Sequence, residues 1–365
     1  MDFAFTPEQE ELRELAGKVL GDHATHERLK RIEAEPEGID RAAWEALART
    51  NLLGTAIAEE YGGAGLGFLE LCLVLEQVGR TVAPIPAWPT LAVGALAIGE
   101  FGTTDQRRRW LPGVTAGETI LTGALVEAGS DDPTQPATSA KRDGGGWRLD
   151  GTKTCVPAAL VAARAIVPAR ADGDVALFLV DPHGAGVTME RQLATSREVQ
   201  ARMTLAGAPG EPLARGRDAV DWLVERATAG LCAMQLGVAE RALRMTAEYT
   251  IQREQFGKPI ASFQAVHQRA ADAYIDVEAI RLTAWQAAWR LASGRPARDE
   301  VAVAKFWASE GAHRVTYAAQ HLHGGIGVDV DYPLHRYYLW SKEIELTLGS
   351  QTRQLARIGA ELAGA

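Results

Sequence analysis

Cysteine is scarce in this 365-residue chain, and its three copies, Cys72, Cys155 and Cys232, are odd in number, far apart and without CxxC spacing. That usage excludes a disulfide framework and fits buried thiols in a reducing compartment. Long hydrophobic runs are missing too: no stretch reaches the roughly eighteen apolar residues that a membrane-spanning helix needs. The opening residues, Met1 to Phe5, lack a basic segment followed by an apolar core, so a cytoplasmic protein is expected. Basic excess is absent. Acids number 47 against 38 bases, a net charge of -9, and no basic stripe could neutralise nucleic-acid phosphates. The eight histidines group closely only as His23 with His26 and His321 with His323, without cysteines or a HExxH-type helix, so no metal site is expected. No Gly-x-Gly-x-x-Gly follows a strand, which counts against a Rossmann nucleotide site. What is present is ordinary globular material, 47% hydrophobic and 23% charged, long enough for two to three domains at about 150 residues each.

Helical periodicity dominates both ends. Thr6, Pro7 and Gln9 form a capping signal, with a hydroxyl for the cap, proline in the first turn and a glutamine three residues on. Leu12, Leu15, Ala16 and Val19 follow at helical spacing, as do Trp44 with Leu47 and Leu69 with Cys72, Leu73 and Glu76. Glycine and proline at 61–65 and 84–86 mark loops between these helices. Near residue 119 the period shortens, and Val175 to Val180 reads as a strand. Asp150-Gly151, inside an alternating stretch, suits a tight hairpin turn. From Asp221 onward long helices return. The expected class is α+β, mainly α: an N-terminal helical domain over 1–118, a small central β domain over 119–220 and a C-terminal four-helix-type bundle over 221–365.

Two C-terminal stretches have unusual chemistry. Arg253-Glu254-Gln255-Phe256-Gly257-Lys258-Pro259, followed by Phe263-Gln264, places a guanidinium, amides and aromatic faces at a helix end, where a phosphate-bearing ligand could be held. The plainer reading makes Gly257 a helix C-cap and Pro259 a breaker. Gln320-His321-Leu322-His323-Gly324-Gly325 offers glycines that admit either a close ligand or a simple turn. Neither stretch decides by itself.

Together, in this order and architecture, they resemble the acyl-CoA dehydrogenase family over essentially the whole chain. The resemblance implies FAD-dependent oxidation of the Cα–Cβ bond of an acyl-CoA thioester, with a glutamate removing the α proton. It also implies that each FAD lies between two subunits, the neighbour gripping the pyrophosphate and adenine end. That neighbour's half is kept here as Arg253, Gln255, Phe256, Phe263, Gln264, Gly324 and Gly325. The family glutamine three places before the first glycine falls at His321, unless the loop shifts to bring Gln320 there.

The ring-gripping half departs from the family. Its Thr-Glu-Pro-x-x-Gly-Ser-Asp loop is replaced by the shorter Val126-Glu127-Ala128-Gly129-Ser130-Asp131, and its Trp-Ile-Thr by Cys155-Val156-Pro157 after Gly151-Thr152-Lys153-Thr154. Proline cannot donate a backbone hydrogen bond, and an aromatic wall is lost. Leu348 stands where the commonest family base belongs, and Ala227 near the alternative position. Glu225, Asp331 and Glu345 are the acids left as weak substitutes, so the chain is expected to lack a catalytic base.

These departures lead to the expectation of a non-catalytic partner in an α2β2 heterotetramer, sharing FAD with a second acyl-CoA dehydrogenase subunit. Actinobacterial enzymes acting on steroid side-chain CoA esters are built this way, and an electron-transfer flavoprotein or similar acceptor would take the electrons. Two alternatives stay open: a self-sufficient homotetramer with a relocated carboxylate, and a flavin-free scaffold or acyl-CoA-binding homologue.

Overall fold

The computed structural model describes residues 4–130 and 132–363; Asp131, which ends the shortened loop, lies outside them. The fold is helix-rich α+β, 56% helical, with helical ends around a β middle. Helix α1 (Pro7–Gly21) starts at the expected capping box. Gln9 N–H donates to Thr6 Oγ1 at 3.3 Å and Thr6 N–H to Gln9 Oε1 at 3.0 Å. The helices α2 (His26–Glu33), α3 (Arg41–Arg49), α4 (Phe68–Thr81), α5 (Leu96–Phe101) and α6 (Thr104–Thr115) follow. A second capping box, Thr103 with Gln106, begins α6. No helix among the described residues is long and apolar enough to cross a membrane.

Residues group into two compact units. One comprises Lys30–Leu71 and Pro84–Ala227 and holds the β structure. Its strands are β1 (Leu121–Gly123), β2 (Ser139–Asp143), β3 (Gly146–Pro157), β4 (Arg164–Ala171), β5 (Asp174–Val180), β6 (Val187–Leu193) and β7 (Val199–Arg215). The sheet runs β4-β2-β3-β7-β5 and closes on itself because β5 also pairs with β4, while β1 flanks β4 and β6 flanks β7. Closure leaves only the flanking strands β1 and β6 as edges. Alternation fills the interior: Val167, Ala169 and Ala171 of β4 and Ala176, Phe178 and Val180 of β5 share one buried cluster with Leu149 and Met203.

Asp150-Gly151 is not a turn. The β2–β3 hairpin turns at Gly144 and Gly145, and Asp150-Gly151 runs within β3 beside a β-bulge. The extra residue is Gly207 of β7, at φ +65°, whose N–H donates to Asp150 Oδ1 at 2.8 Å. Gly151 is needed for close approach, since a Cβ there would lie 2.4 Å from Thr138 Oγ1. Both readings use the same glycine freedom; neighbouring strands decided between them.

The other unit comprises the described residues up to Leu29, Cys72–Ala83 and those from Thr228 on. It contains most of α7 (Arg217–Gln252), then β8 (Glu254–Gln255), β9 (Lys258–Pro259), α8 (Gln264–Ala292), α9 (Arg298–His323), α10 (Leu334–Leu346) and α11 (Gln351–Leu362). Helix α8 buries Ala273, Val277, Ile280, Ala284, Ala287 and Leu291, and α9 answers with Val301, Ala304, Ala308, Ala312, Val315 and Ala319. Those four-and-three spacings form matching apolar seams. Helices α4 and α7 meet through glycine: a Cβ on Gly79 would lie 1.9 Å from the Met234 carbonyl oxygen, and one on Gly237 2.0 Å from that of Glu76.

Candidate functional site

Helix α7 stops at Gln252, and the chain at once forms a small hairpin. Arg253 N–H still donates to the Tyr249 carbonyl at 2.8 Å, and Ile260 N–H donates to the Arg253 carbonyl at 2.8 Å. Between β8 and β9 the turn is Phe256-Gly257, with φ +56° and +75°. Positive φ at both central residues is the type I′ pattern that fits the twist of paired strands. Gly257 is therefore the second turn residue rather than a helix C-cap, and the strands it joins explain why. Phenylalanine in this conformation carries about 1–2 kcal/mol of strain. Burial does not compensate, because Phe256 is 93% exposed. Its ring meets Phe263 edge-on at 6.2 Å, and Lys258 Nζ lies 4.6 Å from the Phe263 ring. Arg253, Gln255 and Gln264 are exposed on the same module, Gln264 opening α8. The structure thus brings five of the expected site residues together.

The second expected segment ends α9. The helix is unbroken through His323, so no shift of the loop occurs: His321 is exposed, whereas Gln320 is half-buried. Gln320 Oε1 is buried without a hydrogen-bond partner among the described residues, and it lies 2.8 Å from where a Cβ on Gly327 would be. His321 therefore takes the outward place and Gln320 does not. Gly324 turns the chain at φ +67°, and nothing lies within 4 Å of a Cβ on either Gly324 or Gly325. That backbone is open to close approach.

The β unit presents a different picture. Glu127 accepts from Lys153 Nζ at 2.7 Å, Thr138 Oγ1 at 2.6 Å and Thr138 N–H at 2.9 Å, and also from Ala137 N–H. Burial alone would raise this carboxyl, but the Lys153 ammonium and the Thr138 donors outweigh it and hold it down at about 2. Thr154 N–H is taken by the Val126 carbonyl at 2.9 Å and Cys155 N–H by Gln192 Oε1 at 2.9 Å. Cys155 is exposed at φ +52°, and Pro157 has no N–H. The backbone donors of Thr154 and Cys155 are spent within the unit.

Leu348 is 4% exposed at φ +58°, ahead of Gly349 at φ +93°. Ala227 is fully buried, its carbonyl accepting from Trp88 Nε1 at 2.8 Å. Among the weak candidates, Glu345 is buried on α10 and accepts from Lys342 Nζ at 2.6 Å. Asp331 is exposed, and its N–H donates to Asp329 Oδ1 at 2.9 Å. Glu225 is half-buried on α7. Sequence reasoning missed Lys305, a fully buried α9 residue that donates to the carbonyls of Ile344 and, at 3.3 Å, Glu345, the last turn of α10. Its signal was a lysine on an otherwise apolar seam. Burial pushes its ammonium down to about 8 and the neighbouring Cys232 thiol up to about 12.

Comparison with known proteins matches three family models in chain order: the N-terminal domain of acyl-CoA dehydrogenase over 6–118, the middle domain over 126–205 and the C-terminal domain over 214–363. The chain belongs to the acyl-CoA dehydrogenase family. Among curated acyl-CoA dehydrogenases it is similar to FadE27 of Mycobacterium tuberculosis, 40% identical over 100% of this chain and 99% of that protein. FadE28 of the same organism is 36% identical over 87% of this chain and 91% of its own. Two solved structures are similar. The ChsE4-ChsE5 complex from Mycobacterium tuberculosis shares 39% identity at TM-score 0.95, covering 100% of both chains. A Tcur3481-Tcur3483 steroid acyl-CoA dehydrogenase variant shares 47% at TM-score 0.94, covering 98% of this chain and 99% of that one.

Acyl-CoA dehydrogenases are oxidoreductases that use FAD. The C-terminal donor set fits that dinucleotide: a guanidinium, two exposed amides, an exposed aromatic face and an open glycine backbone. In the β unit the Thr154 and Cys155 amides are already bonded within the chain, and Pro157 has none.

Proposed function

We propose that this chain is the non-catalytic subunit of an α2β2 acyl-CoA dehydrogenase and completes the FAD site of a different, catalytic subunit. The observation that carries the reading is Phe256, strained at φ +56° yet 93% exposed, in a chain whose base position holds the buried Leu348. Strain kept without burial points to a surface made for a ligand. Likeness to the ChsE4-ChsE5 complex and to a steroid acyl-CoA dehydrogenase supports both a second subunit and steroid side-chain CoA esters as substrates.

In this role Arg253 would neutralise pyrophosphate charge, while Gln255 and Gln264 would supply amide donors and acceptors. Phe256 and Phe263 would present apolar faces to the cofactor, and His321 would offer it a ring nitrogen. Gly324 and Gly325 let backbone approach where a side chain would not fit. Bound FAD supplies the acceptor for hydride from Cβ of the thioester. The carboxylate that removes the α proton would belong to the catalytic subunit, and an electron-transfer flavoprotein or similar acceptor would take the electrons. The setting is the cytoplasm.

The test is the flavin-to-protein ratio of the chain purified alone and co-expressed with an acyl-CoA dehydrogenase subunit encoded beside it. A colourless lone chain and a yellow complex with one FAD per pair of subunits are expected. One FAD per chain in the lone protein would overturn the reading and return the base search to Glu345, Asp331 and Glu225.

A further inference from the structure

The two cofactor-facing segments have little of their own to hold them in place. The hairpin strands β8 and β9 are two residues each, and the turn at Gly324-Gly325 has no side chains to pack. Three rings lie between them. Tyr249, in the last turn of α7, stacks on His323 with centroids 4.3 Å apart and planes 18° from parallel. Its hydroxyl lies 3.5 Å from the His323 carbonyl oxygen. Tyr332 closes the group, its ring 5.3 Å from His323 and 6.4 Å from Tyr249.

The hydrogen bonds fix the imidazole. His323 Nδ1 lies 2.8 Å from the Ala319 carbonyl, which only accepts, so Nδ1 carries the proton; Nε2 then accepts from the Tyr332 hydroxyl at 3.2 Å. His323 is 4% exposed, and burial pushes its imidazole below the usual range, which keeps the ring neutral in this arrangement. Two of the rings are joined to a cofactor-facing segment through the backbone. The Tyr249 carbonyl holds Arg253 N–H at 2.8 Å, while His323 directly precedes Gly324.

We propose that Tyr249, His323 and Tyr332 are positioning residues, an aromatic clasp that sets the Arg253–Gly257 hairpin and the Gly324-Gly325 turn at one separation, so that they meet the FAD as a single preorganised surface. The inference rests on the proposed role in FAD binding. Preorganisation strengthens binding by lowering the ordering cost at the moment of association. Stacked aromatic pairs contribute enough that losing one weakens binding about threefold to tenfold.

The experiment uses the co-expressed complex, stripped of flavin and titrated with FAD by fluorescence quenching, with subunit stoichiometry followed by native mass spectrometry. Tyr249→Leu removes the stack and is expected to raise the FAD Kd about threefold to tenfold in an intact complex. Tyr249→Phe keeps the stack and is expected to keep the wild-type Kd, and an unchanged urea midpoint for the Tyr249→Leu complex separates the clasp from a loss of general packing. Tyr332→Phe deletes only the donor to His323 Nε2, leaves assembly intact, and is expected to weaken FAD by a smaller factor of about two to five. Wild-type Kd in both Tyr249→Leu and Tyr332→Phe overturns the clasp while leaving the FAD role standing. A wild-type complex whose FAD Kd is unchanged by Arg253→Ala removes the FAD role and the clasp with it.

Discussion

Phe256→Asn separates stability from cofactor binding at one residue. Asparagine tolerates positive φ, and Asn-Gly is a favoured type I′ pair, so the substitution relieves about 1 kcal/mol of the 1–2 kcal/mol strain. The opposing loss is the edge-on pair with Phe263, at 6.2 Å with Phe256 93% exposed. Aromatic pairs are worth about 0.5–1.5 kcal/mol, and an exposed one belongs at the low end. The balance is near zero to about 1 kcal/mol in favour of the variant. FAD binding should move the other way, because stacking of a base on an aromatic ring contributes about 1–3 kcal/mol, a factor of roughly 5 to 150 in Kd. Urea denaturation of the flavin-free chain measures the first quantity and FAD titration of the complex the second. Destabilisation beyond about 1 kcal/mol would refute the strain argument. An unchanged FAD Kd would refute the placement of Phe256 at the cofactor.

Lys305 makes stability depend on alkaline pH. Its ordinary 10.5 is lowered to about 8 by burial beside Cys232 and Glu345, so the folded state holds the proton less tightly than the unfolded one. Stability should rise as pH increases from 8 towards 10.5, by about 3 kcal/mol through this group, and Lys305→Met should flatten that rise in pH-dependent urea melts. Lys153→Met strands the Glu127 carboxylate and should cost about 3–5 kcal/mol by urea denaturation at neutral pH. In the wild type Glu127 contributes fully above its ordinary 4.5, and that contribution disappears as pH falls through about 2, visible as an acid-unfolding limb that Glu127→Gln removes. Gly79→Ala should lower stability by more than about 2 kcal/mol, since its Cβ meets the Met234 carbonyl oxygen at 1.9 Å between packed helices. Glu345→Gln should leave turnover of the co-expressed complex within about twofold, because that carboxylate serves Lys342 rather than a substrate; a loss of a hundredfold or more would make Glu345 the base.

Local chemistry made much of the chain legible from its residues alone. Thr6 and Gln9 announce α1 because a capping box needs only residues three apart. Val175 to Val180 announces β5 because a short apolar run between turns suits a buried strand. The order of helices, strands and helices was likewise readable from types and spacing, whereas the stretches from Arg253 to Gln264 and at Gly324-Gly325 were unusual in chemistry but took their expected role only from the family resemblance. What sequence could not decide depended on neighbours far along the chain. Asp150-Gly151 reads as a turn until Thr138 and Gly207 are seen beside it, where close approach and a bulge use the same glycine. Gly257 reads as a helix cap until Lys258 pairs with Gln255 and makes it half of a hairpin turn. His321 and Gln320 are adjacent letters, and only the unbroken register of α9 turns one outward and the other in. Lys305 showed only as a lysine on an apolar seam, and the Tyr249–His323–Tyr332 clasp left no local signal, because a buried ammonium or a stacked ring acquires its meaning from carbonyls and rings that tertiary packing brings to it.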